Sequence, residues 1–181
     1  MNTVLILPGI GSSGPDHWQT RWEKLYPSFR RVEQQQWNSP RCEDWVRTLD
    51  VVISLCESGV ILVGHSSACA LVAHWARQAR PEQLQKVCGA LLVGPSDPTG
   101  PNYPIGPTGF APMPMHPLPF RSTVVASTDD IYVSLEQAKE YAAAWKSDFV
   151  ELQQAGHINA ASGLGDWKYG LDLLKDLQDI D

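Results

Sequence analysis

Gly64-His65-Ser66-Ser67-Ala68 sets a serine between small residues, directly after the aliphatic run Val60-Ile61-Leu62-Val63. A sharp strand-to-helix turn of this kind holds a serine hydroxyl clear of a sheet, because larger residues two positions away would clash. A serine hydroxyl is a weak nucleophile near neutral pH and needs a base. In this architecture the partners follow in the order serine, acid, histidine. Of the five histidines, at 17, 65, 74, 116 and 157, only His157 lies C-terminal to every plausible acid. It sits in Ala155-Gly156-His157-Ile158-Asn159, between the last expected strand and the final helix.

The acid is expected after the fifth strand, where Ser127-Thr128-Asp129-Asp130 stands. Neighbours on an extended segment face opposite ways, so both aspartates cannot point at one histidine. Asp130 is preferred, because Ile131-Tyr132-Val133-Ser134 leads from it to a helix start. Asp129 then bonds backbone amides of the turn. Asp129 and Asp97 are the alternative acids. A tetrahedral intermediate also needs amide donors for its oxyanion. One is expected from Ser67, the residue after the nucleophile, and one from Pro8-Gly9-Ile10-Gly11. Ile10 is preferred there, with Gly11 second. Other residues have plainer expectations. His17 buttresses the oxyanion loop, His65 packs under the serine turn, and Trp18, Trp22 and Trp45 fill the core.

Positioning these residues takes a sheet with loops converging on one edge. Val4–Leu7, Phe29–Gln34, Val60–Val63, Val87–Val93, Ser122–Ala126 and Phe149–Leu152 read as strands. The unbroken aliphatic runs fit a parallel sheet buried on both faces. Helices alternate with them. Pro15 suits the first turn of one carrying Trp18, Trp22, Leu25 and Tyr26. Ser39-Pro40 opens a second by the same logic. A third begins near Ser66, Ser134 and Gln137 form a capping box for a fourth, and Trp167, Leu171, Leu174 and Leu177 mark the last. This alternation predicts βαβ units with right-handed crossovers. One segment breaks it: Pro95 to Pro119 holds nine of the chain's 14 prolines and a single formal charge, Asp97. It is expected to be a short apolar cover, with Phe110 and Met113 walling a small acyl pocket that Gly11, His17 and Asn159 also line.

Composition excludes several classes. The 181 residues suit one domain, residues 1–181, with 43% hydrophobic and 19% charged side chains. The net charge of −6 and the lack of any Lys/Arg run argue against nucleic-acid partners. Apolar runs stay well short of the roughly 20 residues of a membrane span, and the N-terminus lacks the basic start of a signal peptide. Cys42, Cys56, Cys69 and Cys88 form no Cys-x-x-Cys pair and have no histidine at ligand spacing. They are expected to be reduced thiols in a cytoplasmic protein, with no metal.

Four motifs in order resemble a known set: Pro8-Gly9-Ile10-Gly11-Ser12 with His17-Trp18, Gly64-His65-Ser66-Ser67, Ser127-Thr128-Asp129-Asp130-Ile131-Tyr132, and Gly156-His157-Ile158-Asn159. They look like the small serine hydrolases of the retinoblastoma-binding protein 9 and YdeN family, over residues 3 to about 175. The resemblance implies a reduced α/β-hydrolase fold. It also implies Ser66, Asp130 and His157 as the triad. Ala68 departs from the glycine usual at that position, which is tolerable where φ stays negative.

The expectation is a three-layer α/β-hydrolase fold. Its six parallel strands stand in the order 2-1-3-4-5-6, with helices on both faces and no lid domain. The expected activity is hydrolysis of a small carboxylic ester or thioester, without cofactor, by a monomer or homodimer that binds neither nucleic acid nor membrane. A short-substrate amidase or peptidase, or a non-catalytic binding protein, would use the same fold.

Overall fold

The computed structural model describes residues 2–178. Six parallel strands, β1 (Thr3–Leu7), β2 (Phe29–Arg31), β3 (Val60–His65), β4 (Val87–Val93), β5 (Arg121–Ser127) and β6 (Asp148–Leu152), form one sheet. Their order is β2-β1-β3-β4-β5-β6. Side chains alternate across it with the two-residue period of a strand. Leu5, Leu7, Leu62, Ala90, Leu92, Val124 and Ala126 face one helical layer. That layer holds α2 (Cys42–Leu55), α3 (Ser67–Gln78), the single turn α4 (Pro81–Leu84) and α5 (Leu135–Trp145). Val4, Ile6, Ile61, Val63, Leu91, Val93 and Val125 face the opposite layer, built from α1 (Trp18–Leu25) and α6 (Lys168–Gln178). Central strands sandwiched in this way have no solvated face, which is why their sequences read as continuous aliphatic runs.

Two helix starts and one helix cap differ from expectation, each for a local reason. α1 begins at Trp18 rather than at Pro15, because the side chain of His17 caps it by accepting the Gln19 amide. Pro15 belongs to the preceding turn. α2 begins at Cys42 rather than just after Ser39, because the chain first bridges to Thr108. Thr108 N donates to Pro40 O and Cys42 N to Thr108 O, both at 2.9 Å. At α5, Ser134 Oγ accepts the Gln137 amide as expected. The Gln137 side chain, however, turns to Glu140, so only half of the capping box forms. A 3₁₀ turn at Ala160–Ser162 and α4 had no clear signal in the sequence.

The segment between β4 and β5 contains no helix or strand. Its apolar side chains divide. Phe110 is 1% exposed and meets Trp45 edge-on, with ring centroids 5.7 Å apart. Met113 and Leu118 are buried with it among α2, α3 and α5, while Ile105 is fully exposed. Polar anchors hold the segment down: the ring of His74 on the Phe110 carbonyl at 2.8 Å, and Trp145 Nε1 donating to Pro114 O at 2.8 Å. Phe110 and Met113 therefore belong to the core and do not wall the pocket. A nonpolar side chain on a long connection lowers its free energy more by entering the core than by facing a cleft. Phe110→Ala should lower unfolding stability in urea by about 3–5 kcal/mol. It should leave any acyl-chain preference of the protein unchanged.

Candidate active site

Ser66 is the hinge between β3 and α3, with φ 59° and ψ −125°. A positive φ in a non-glycine residue costs about 1–3 kcal/mol and persists only where its surroundings impose it. Here both flanking elements are buried. Small neighbours are required on each side. A Cβ on Gly64 would sit 3.3 Å from the Ala68 carbonyl oxygen, and one on Gly9 only 2.9 Å from both His65 O and Ser66 Cβ. Ala68 lies inside α3 and is not among the residues with positive φ, so its methyl group is unstrained.

Three further loops meet this turn, all at the C-terminal edge of the sheet, where open α/β sheets place their ligands. His157 Nε2 lies 3.0 Å from Ser66 Oγ. On its other side, Nδ1 lies 2.7 Å from Asp130 Oδ2. The Asp130 side chain is fully buried and that of His157 is 10% exposed. Asp130 Oδ1 accepts the Tyr132 amide at 2.9 Å, which fixes the carboxylate plane. Gly94, with φ 55°, passes so close that a Cβ there would lie 3.4 Å from both Asp130 Oδ2 and His157 Nδ1.

The other two aspartates are engaged elsewhere. Asp129 Oδ1 accepts the Gly156 amide at 2.8 Å and the Ser127 hydroxyl at 2.7 Å. These bonds hold its carboxyl below the usual carboxylate range and stitch the loop after β5 to the one carrying His157. Asp97 Oδ1 accepts both the amide and the hydroxyl of Thr99.

The loop after β1 closes the opposite side. Gly11 N donates to Trp37 O at 2.9 Å. The Ile10 amide meets no acceptor among the described residues. The same holds for Ser67 N, in the first turn of α3, where amides have no intrahelical partner. Arg31 pins this loop from outside. It donates to the carbonyl and hydroxyl of Ser12, to Thr20 Oγ1 at 2.7 Å, and to Glu23 at 2.6 Å. Gln19, fully buried, bonds the carbonyls of Leu7 and Val63 and accepts from Ser13 Oγ.

Together these loops line a cavity of about 540 Å³. Ile10, Gly11, His17, Ser66, Ser67, His157 and Asn159 reach it; Phe110 and Met113 do not. The segment between β4 and β5 instead contributes Ser96, Asn102, Tyr103 and Pro104. Tyr103 Oη bonds Ser67 Oγ at 2.9 Å, and burial pushes this phenol up to about 12. Among the described residues, no Lys, Arg, Asp or Glu lines the cavity.

A family model described as "Serine hydrolase" matches residues 4–176. The chain belongs to this serine hydrolase family. No curated protein matches it. Among solved structures, a protein described as a YdeN-like hydrolase of Pectobacterium atrosepticum is 31% identical. The match covers 99% of this chain and 91% of that one, with a TM-score of 0.85. The YdeN product of Bacillus subtilis shares 20% identity over 98% of both chains, at a TM-score of 0.76. An esterase from a Rhodococcus species is 13% identical, over 99% of this chain and 91% of that one, at 0.71, and shows likeness of fold alone.

In this serine hydrolase two more histidines pack behind His157, their rings tilted or edge-on to one another. The ring of His65 lies 4.8 Å from that of His157 and 4.6 Å from that of His17. His65 Nε2 donates to the His157 carbonyl at 2.9 Å, and burial keeps His65 well below its ordinary pKa. His17 Nδ1 accepts the Gln19 amide at 3.1 Å, so its own proton resides on Nε2. Burial, with the electrostatic influence of the neighbouring His157 and Arg31, lowers His17 to about 4. Trp18 Nε1 donates to Ile158 O at 2.8 Å and Trp22 Nε1 to Asp166 O at 2.7 Å. The two core tryptophans thus also anchor the His157 loop. Among the described residues, no three His, Cys, Asp or Glu side chains cluster as a metal ion would require. No helix among them is long and apolar enough to cross a membrane. The four cysteines are free, and burial pushes the Cys42 thiol up to about 12.

Ser96 and Gly94 had no signal that marked them out, since each acts through a residue remote in sequence, whereas Tyr103 is an apolar residue of the proline-rich segment that does reach the cavity, as expected of that cover. The pKa of His17 carries a consequence for stability. The unfolded chain binds a proton at His17 near pH 6.5 and the folded chain only near 4, so stability rises with pH across that window. Unfolding free energy should therefore fall as pH drops from about 6.5 to about 4. His17→Asn keeps a good helix cap and should make that fall shallower. Denaturant titrations at both pH values check it; equal slopes in the two proteins would contradict it.

Proposed function

We propose that this serine hydrolase cleaves small uncharged carboxylic esters or thioesters through an acyl-enzyme on Ser66. The observation that carries the reading is the contact chain from Ser66 Oγ through His157 to a fully buried Asp130 carboxylate. A hydroxyl, an imidazole and a carboxylate in hydrogen-bond sequence form the general nucleophile–base–orienter unit.

In the proposed reaction His157 Nε2 takes the Ser66 proton as Oγ bonds to the substrate carbonyl carbon. The carbonyl π electrons move onto its oxygen, which the unengaged amides of Ile10 and Ser67 receive. The intermediate collapses, the carbon–oxygen or carbon–sulfur bond to the leaving group breaks, and His157 returns the proton to that group. Water then enters, loses its proton to the same nitrogen and attacks the acyl carbon; the carbon–Oγ bond breaks, the carboxylic acid leaves, and His157 returns the proton to Ser66 Oγ. Asp130 keeps the imidazole proton on Nδ1 throughout and stabilises the imidazolium. Among the described residues the cavity wall carries no Lys, Arg, Asp or Glu, which supports neutral substrates, because a charged group there would lose hydration without gaining a partner. Tyr103 and Pro104 supply the apolar cover on the side of the proline-rich segment, and the cavity volume supports short acyl groups.

The test is turnover of a panel of acetyl to dodecanoyl esters and thioesters by the wild-type protein and two variants. Asp130→Asn should lower kcat by about 10³–10⁴, since it leaves the wrong imidazole tautomer. Asp129→Asn should cost far less, acting only through the loop. Short chains should be preferred. Failure to turn over any member of the panel would reject the substrate class, and a reversed ranking of the two aspartates would reject the assignment of the acid.

A further inference from the structure

Ser96 stands in the turn that follows β4, in Gly94-Pro95-Ser96-Asp97. It is 3% exposed, it lines the cavity, and its Oγ lies 2.8 Å from Ser66 Oγ. Two hydroxyls this close share one proton between them, and the rest of the site decides which oxygen supplies it. A carboxylate at Asp130 can only accept, so His157 carries its proton on Nδ1 and presents Nε2 as an acceptor. The single proton of Ser66 is then committed to Nε2. Ser66 Oγ has only lone pairs left for Ser96, so Ser96 is the donor.

We propose that Ser96 is a further catalytic residue, whose hydroxyl donates to the Ser66 oxygen and favours acylation. The inference rests on the reading of Ser66 as nucleophile. The Ser66 oxygen has two lone pairs. One receives the Ser96 proton, and the other is left to attack. The two hydrogen bonds together fix the Ser66 side chain in one orientation before substrate arrives. As the Ser66 proton passes to His157, negative charge develops on Oγ until its bond to carbon is complete. A hydrogen bond to a charged oxygen is roughly twice as strong as one to a neutral hydroxyl, so the Ser96 contact strengthens as the reaction proceeds. That differential lowers the barrier. In the acyl-enzyme Oγ is an ester oxygen and a poorer acceptor, which releases the Ser96 hydroxyl toward the cavity.

Reaction with a fluorophosphonate isolates the attack. The Ser66 Oγ–phosphorus bond forms, the phosphorus–fluorine bond breaks, fluoride leaves, and the serine proton passes to His157 and then to solvent. Ser96→Ala should lower the second-order labelling constant about tenfold, equivalent to about 1.4 kcal/mol, with the melting temperature unchanged. Ser96→Thr retains a hydroxyl and should restore labelling to within about threefold of wild type. A structural role alone would not separate alanine from threonine in this way. If the alanine variant does not fold, Ser96→Cys replaces it; its thiol is a weak donor, and the same loss is expected. An alanine or cysteine variant that labels within twofold of wild type, or a threonine variant no faster than alanine, would overturn the role of Ser96. A wild-type protein that does not label at all would instead overturn Ser66 as nucleophile, and this inference with it.

Discussion

The left-handed backbone of Ser66 is the constraint on which the rest of the site depends. The chain must leave a fully buried strand and enter a buried helix within one residue, and it does so at a φ of 59°. The strain is held in place because neither element can move without exposing core side chains. The same reversal brings four backbone segments into contact, so side chains must be missing at Gly64, at Gly9 and, beside His157, at Gly94. At Gly9 and Gly94 two loops share space that a Cβ would occupy, and at Gly64 the turn meets the first turn of the helix it feeds.

Around that turn the parallel topology does the gathering. Every strand of the sheet runs the same way, so the loops after β1, β3, β4, β5 and β6 open on one edge. Precision then comes from polar stitches between loops distant in sequence. Asp129 and Ser127 tie the loop after β5 to Gly156, and Ser127 Oγ also accepts the Ala155 amide at 2.8 Å. Trp18 holds Ile158, which is fully buried at positive φ. Arg31 and Gln19 brace the loop of Ile10 and Gly11. Supports of this kind set the geometry of reacting groups to within a fraction of an ångström, on which rates depend steeply.

Much of this was legible in the residues themselves. Aliphatic runs such as Val60–Val63 located the strands, strand–helix alternation implied a parallel sheet, and the resemblance to an α/β-hydrolase implied the strand order that the sheet has. The order of motifs singled out Ser66, Asp130 and His157, which the folded chain brings into contact. What was hidden is non-local. Pro15 and Ser39-Pro40 look like helix starts, but a histidine cap and a bridge to Thr108 decide where those helices begin. Phe110 and Met113 have the composition of pocket residues. Whether an apolar side chain on a long loop turns toward a cleft or into the core depends on neighbours such as Trp45, 65 residues before Phe110 in the chain. Ser96 carries no local pattern at all. Its place beside Ser66 arises because β3 and β4 are adjacent in register, with His65 opposite Val93.

The central claim is that Ser66 is the nucleophile, and one measurement meets it directly. The protein is treated with a fluorophosphonate, its intact mass is recorded, and the modified residue is located by peptide sequencing in a mass spectrometer. The account predicts a single adduct on Ser66 in the wild-type protein and none in Ser66→Ala folded to the same extent. A stoichiometric adduct on another residue, or one that survives in Ser66→Ala, would contradict it.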